Sequence, residues 1–164
     1  MKKTIVVFGS STGTCESIAN DIAAKLGCEA INVQDFSADH VADNDNLILG
    51  TSTWGCGELQ DDWYDGVKVL EGADLSQKTV ALFGCGDSQS YCDTFCGGMS
   101  ELYKAAKGAG ATVVGSVDAS DYDYEDSEAV VDGKFVGLAL DNDNEGDKTS
   151  ERIEAWISQI TPSL

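Results

Sequence analysis

The stretch GSSTGTCES, Gly9 to Ser17, carries five hydroxyl side chains, two glycines, one thiol and one carboxylate, with no lysine or arginine. It follows the apolar run TIVVF (4–8) and precedes a helical face made by Ile18, Ile22, Ala23 and Leu26. A turn at a helix N-terminus presents unpaired backbone N–H groups and the positive end of the helix dipole, which together favour an anion. The hydroxyls of Ser10, Ser11, Thr12 and Thr14 add donors, so a phosphate can be held there without a cationic side chain. Plain capping by Ser or Thr would use only one of these residues.

Other chemistry fits less well. GSSTG matches the G-x-S-x-G nucleophile elbow, but the single histidine, His40, stands too early for the order Ser…Asp…His. His40 reads instead as a solvated loop residue. A Walker loop would need G-K-[ST], and GCGDSQ lacks the last glycine of a dinucleotide fingerprint. DNDNEGDKTSER (141–152) begins like a calcium loop with Asp141, Asp143 and Gly146. Arg152 then occupies the place of the bidentate Glu, and a strand rather than a helix precedes it. Cys85, Cys92 and Cys96 lack zinc or iron–sulfur spacing.

Two further loops follow strand-like runs. GTSTWGCGELQDDW comes after LIL (47–49), and GCGDSQSYCDTF begins within TVALFG (79–84). Trp54 and Tyr91 lie among glycines and polar residues, poorly placed for a core but suited to stacking on a flat heterocycle from opposite sides. Trp63 and Phe95, at helix starts, read as core.

Elements must bring these loops together. The runs TIVVF, AINV (30–33), LILG (47–50), TVALFG, TVVGSV (112–117) and FVGLAL (135–140) have strand character, several being apolar throughout. Helical faces alternate with them: Ile18 to Leu26, closed by Gly27; Trp63, Val67 and Leu70; Met99, Leu102, Tyr103 and Ala106; and Ile153, Trp156, Ile157 and Ile160 before Pro162. Such alternation predicts an α/β doubly wound sheet, whose ligands bind beyond the carboxyl ends of the strands. The acidic, aromatic segment 118–134 is predicted to be an insertion that splits the last strand.

Composition narrows the function. The 164 residues suit one domain, 1–164, and 29 acids against 10 Lys+Arg give a net charge of −19. That charge repels nucleic-acid phosphates and anionic membranes and favours basic protein partners. No secretory signal or membrane span is evident, so the six cysteines are expected to be free thiols in a cytoplasmic protein.

Four segments, VVFGSSTGTCES, LILGTSTWGCGELQDDW, VALFGCGDSQSYCDTF and GKFVGLALDNDN, resemble long-chain flavodoxins in order and spacing over nearly the whole chain. The resemblance implies a five-stranded parallel sheet in the order 2-1-3-4-5, helices on both faces, and FMN at the switch point; that order is a property of the family. It implies phosphate binding by Ser10, Ser11, Thr12, Gly13, Thr14 and Cys15. Trp54 and Tyr91 would cover the two ring faces, with Thr53, Gly55, Cys56, Gly57, Cys85, Gly86 and Asp87 lining the ring and ribityl chain. Asp143 would lie near the ribityl hydroxyls.

The implied function is low-potential one-electron transfer, between semiquinone and hydroquinone, by a monomer that is not an enzyme. Its partners would be redox proteins with basic docking faces, such as a flavodoxin reductase and low-potential electron acceptors. An FMN-dependent NAD(P)H quinone or azo reductase on the same fold is the alternative, but it would need an open ring face. A phospho-accepting signalling domain would want an aspartate after the third strand, and LILGTSTW has none. Three departures from the family pattern stand out: Cys15 where threonine is usual, Ser52 where proline is common, and Thr94 and Cys96 in place of larger polar residues.

Overall fold

Strands alternate with amphipathic helices along most of the chain. The computed structural model describes all residues except 11–12, 55–57, 87–94, 123 and 125, and leaves out the side chains of Trp54, Glu58, Asp121 and Asp143. The strands are β1 (Thr4–Gly9), β2 (Glu29–Asn32), β3 (Asn46–Trp54), β4 (Glu58–Leu59), β5 (Thr79–Cys85), β6 (Thr112–Val114), β7 (Val117–Asp118), β8 (Val130–Val131), β9 (Lys134–Phe135) and β10 (Leu138–Leu140). The helices are α1 (Thr14–Leu26), α2 (Ala38–Asp43), α3 (Trp63–Glu71), α4 (Gly98–Gly108) and α5 (Asn142–Ile160).

The main sheet runs β2-β1-β3-β5, and its fifth position is shared by two short strands. Parallel pairing joins β6 to the first half of β5 (Thr79↔Thr112) and β10 to its second half (Phe83↔Leu138). This is the order 2-1-3-4-5 with a split last strand. The two apolar runs expected there are each shorter than the sequence pattern suggests. The chain turns at Gly115 (φ 87°), whose carbonyl accepts the Trp156 indole N–H at 2.8 Å. Between β6 and β10, strands β7, β9 and β8 form a small antiparallel sheet.

Alternate residues of the central strands face opposite layers. Val7, Leu47, Leu49, Val80 and Leu82 pack with Leu70 of α3 and Met99 and Leu102 of α4. Val6, Phe8, Ile48, Ala81 and Phe83 pack with Ile18 and Ile22 of α1 and Ile153 and Trp156 of α5. Full burial of such aliphatic and aromatic side chains is worth roughly 1.5–3 kcal/mol each, which is what fixes helices on both faces. Trp63 and Phe95 are core, as their positions at helix starts suggest.

His40 lies not in a loop but in the short helix α2. Its Nδ1 accepts the Ser37 N–H at 3.1 Å, and its ring stacks near Phe36. Short polar helices of this kind carry little hydrophobic periodicity, which hides them in sequence. Helix α5 begins at Asn142, well before its apolar face, and is interrupted at Glu145 (φ −128°, ψ 37°).

Candidate functional site

Three strands, β1, β3 and β5, run parallel and end at one edge of the sheet. The chain leaves β1 at Gly9 and reaches α1 through the glycine at 13, whose φ of 93° is a left-handed conformation that costs other residues about 1 kcal/mol or more. Gly13 donates its N–H to Ser10 Oγ at 3.0 Å, folding the turn back on itself and leaving the serine hydrogen free to donate elsewhere. The N-cap, Gly13, has no side chain with which to cap α1, and the first-turn N–H groups of Thr14, Cys15 and Glu16 have no intrahelical acceptor. Among the described residues, and apart from its chain neighbours and the α1 backbone, no atom lies within 4 Å of where a Cβ on residue 13 would sit. Such a helix N-terminus fits an anionic group.

Cys15 is buried, and its thiol hydrogen-bonds that of Cys85 at the end of β5. That bond, reinforced by burial and by the neighbouring Cys85 and Cys96 sulfurs, pushes the Cys15 thiol well above its ordinary range. What Cys15 offers an anion is therefore its backbone N–H, not its side chain. The serine and threonine at 11 and 12 lie outside the described residues.

At the end of β3, antiparallel pairing of Thr53 with Leu59 and of Trp54 with Glu58 makes a hairpin around residues 55–57. Thr53 Oγ1 accepts the Gly98 N–H at 3.1 Å, tying this hairpin to the start of α4. Trp63, fully buried, donates its indole N–H to Gly50 O at 2.7 Å and packs beneath Gly9. Thus β1 and β3 are held together directly under the edge. The backbone of Trp54 is in place at the strand end; its side chain, and Gly55, Cys56 and Gly57, lie outside the described residues.

After β5, Gly86 donates its N–H to Leu140 O at 3.0 Å. A Cβ on residue 86 would come within 2.9 Å of the Cys96 nitrogen, so only glycine permits this close approach. The chain returns at Phe95 and Cys96. Cys96 (φ 51°) points its buried Sγ at the carbonyls of Gly84 and Leu140, 3.7 and 3.8 Å away, and not at the edge. Burial raises its thiol well above the ordinary range. Asp87, Tyr91 and Thr94 lie outside the described residues.

Asp143 occupies the first turn of α5, directly beyond β10, and its side chain is not described. The fully buried Asp141 just before it caps the helix, accepting the Asn144 N–H at 3.2 Å. Sequence reasoning missed this cap, although Asp three residues ahead of an N–H donor at a helix start is a readable signal. No group of three or more metal-ligating side chains occurs among the described residues.

Of the expected site residues, Ser10, Gly13, Thr14, Cys15, Thr53, Trp54, Cys85, Gly86 and Asp143 are described at least in backbone, and they gather at the carboxyl edge of the sheet. Among the described residues, Cys15, Cys28, Cys85 and Cys96 are free thiols; Cys56 and Cys92 lie outside them. Within the described residues, no helix is long and apolar enough to cross a membrane.

The flavodoxin family model matches residues 6–156. Flavodoxin 1 of Azotobacter vinelandii is 44% identical over 98% of this chain and 96% of its own length. A flavodoxin of Picosynechococcus is 40% identical over 100% of this chain and 99% of its own. Among solved structures, Fusobacterium nucleatum flavodoxin bound to flavin mononucleotide superposes with a TM-score of 0.94 at 33% identity, covering 100% of this chain and 99% of that one. The family match and the full-length similarity lead to one assignment: the chain belongs to the flavodoxin family.

Proposed function

We propose that this chain, as one flavodoxin-like domain over 1–164, is an electron-transfer protein that carries single electrons on non-covalently bound FMN. The supporting observation is the convergence of three strand ends and the N-terminus of α1 on a single edge of the sheet. Bound there, the flavin would supply the capacity to take up and release electrons one at a time. The protein's part is to hold it, orient it and limit its contact with water.

Ser10, Ser11, Thr12, Gly13, Thr14 and Cys15 would hold the phosphate through hydroxyls and backbone N–H groups. Thr53, Gly55, Cys56, Gly57, Cys85, Gly86 and Asp87 would line the ring and ribityl chain, and Asp143 the ribityl hydroxyls. Trp54 and Tyr91 would cover the ring faces and exclude water. With no cation in 9–17 and a net charge of −19, the surroundings oppose each added negative charge, which makes for a low-potential carrier. The same charge suits redox partners with basic docking faces, such as a flavodoxin reductase and low-potential acceptors. A cytoplasmic monomer is the matching physiological form. The reading as a quinone or azo reductase is not favoured, since the full-length similarity is to flavodoxins.

The deciding experiment is titration of the apo-protein with FMN and with riboflavin. FMN should bind far more tightly, because the phosphate nest serves only FMN. Equal affinities would remove the phosphate assignment, and absence of flavin binding would remove the whole proposal.

A further inference from the structure

The sheet edge opposite the three loops is also concave. There the chain enters β1 at Thr4, leaves α1 at Gly27, enters β2 at Glu29 and leaves α2 after Asp43. These pieces enclose a pocket of about 410 Å³, with Lys2, Lys3, Gly27, Glu29, His40 and Asp43 in its lining. Strand β1 is six residues long, so about 20 Å of sheet separates this pocket from the turn after Gly9.

The lining carries charge of both signs. Lys2 and Lys3, consecutive in the segment that leads into β1, supply two of the molecule's ten Lys and Arg side chains. Glu29 and Asp43 supply carboxylates, and the C-terminal end of α1 adds the negative pole of its dipole beside Gly27. Among the described residues, none of these four charged side chains takes part in an ion pair. His40 adds a donor. Its Nδ1 accepts the Ser37 N–H at 3.1 Å, which puts the hydrogen of the neutral imidazole on Nε2. Among the described residues, Nε2 has no partner.

Charges of both signs that line one pocket without pairing suit a ligand that carries both. A simple carboxylate is repelled by the net charge of −19, and a simple cation is drawn to the acidic surface as a whole rather than to one place. A zwitterion escapes both problems. We propose that this pocket binds a small zwitterion of amino-acid size, its carboxylate held by Lys2, Lys3 and the His40 Nε2–H and its ammonium by Glu29 and Asp43. The inference goes beyond the flavin reading and does not depend on it. The four charged side chains belong to exposed residues, so water and salt screen them and the affinity is modest, in the millimolar range.

His40 is the only histidine in the chain, so its imidazole proton signals in an NMR spectrum report on the pocket directly. The purified protein is titrated, at constant pH and ionic strength, with three probes of one chain length. Aminocaproate is the zwitterion, caproate carries its carboxylate alone, and hexylamine carries its ammonium alone. Aminocaproate should shift the His40 signals saturably, with an affinity about fivefold or more above that of either other probe. Lys2→Gln combined with Lys3→Gln should weaken it by about fivefold, and so should Asp43→Asn. All three substitutions fall on exposed residues, so the fold should tolerate them. The result should be the same with and without FMN, whose proposed site lies at the other edge. Three results would overturn the proposal: His40 signals that aminocaproate leaves in place, equal responses to all three probes, or an affinity unchanged by both sets of substitutions. None of these bears on flavin binding, which has its own titration.

Discussion

Cys15 sits where two demands meet. Its N–H belongs to the first turn of α1, while its thiol is turned inward to the Cys85 thiol. A side chain turned away from the helix end takes no part in holding an anion there, so Cys15→Thr should leave the affinities for FMN and for riboflavin within about twofold of the parent. A change confined to FMN would show that the side chain at 15 reaches the phosphate. The same substitution should alter the alkaline limb of stability. The folded thiol is held above its ordinary value of 9.0, so its contribution is complete below that pH and is lost as pH rises toward the folded value. Urea midpoints should fall above about pH 9 in the parent and less steeply in Cys15→Thr. Cys96, Cys28 and Tyr124, each raised by burial, add to the slope.

At the scale of elements, periodicity made the central strands and the apolar faces of α1, α3, α4 and α5 readable. TIVVF and the body of TVALFG are buried on both faces, which is why they look apolar throughout. The glycines at 27 and 110, with φ of 70° and 93°, stop helices where a left-handed residue is needed. Illegible were pieces whose order comes from partners rather than from pattern. The antiparallel strands β7, β8 and β9 are two residues long and owe their place to the cluster around Phe135. The first turns of α5 are polar and held by the cap at Asp141 and by Glu145. Ser127, whose hydroxyl donates to Phe95 O, gave no signal because that partner is 32 residues away in sequence. The turn after β1, by contrast, was legible locally in GSSTG, and its glycine at 13 has a left-handed conformation at the entry to α1.

The start of α5 also carries an acid-sensitive joint. Glu145 bonds Lys148 at 2.8 Å and Arg152 at 3.2 Å, and these partners, Lys148 first, hold its carboxyl below the ordinary 4.5 despite partial burial. A depressed folded value means stability that is present above about pH 4.5 and lost as pH falls through the folded value. Comparing the parent with Glu145→Gln in urea should give a stability difference that is constant at neutral pH and shrinks on acidification below about 4.5. A difference independent of pH would mean that the carboxylate charge contributes nothing and that only packing was changed. Arg152 also rests on the Tyr122 ring, so this joint links α5 to the segment between β6 and β10.

For the whole molecule, charge is the dominant feature. The ion pairs Lys68–Asp65 and Lys104–Glu101 are largely exposed and join neighbours one helical turn apart. Exposed pairs of this kind contribute about 0.2–1 kcal/mol at most, so they do little to offset a net charge of −19. Two opposite salt effects follow from one cause. Within the folded chain, acids repel one another more than they do in the expanded chain, so added salt should relieve that repulsion and stabilise the fold. Between the protein and a basic redox partner, the same charge steers encounter, so added salt should slow association. The urea midpoint should rise as NaCl increases from about 10 to 150 mM, the range over which the Debye length falls from about 30 to 8 Å. Over the same range, the rate of electron transfer to the protein from a basic partner such as a flavodoxin reductase should fall. A midpoint that stays flat or drops would show that the acids are already compensated locally. A rate that rises with salt would place docking on a surface that does not use the charge.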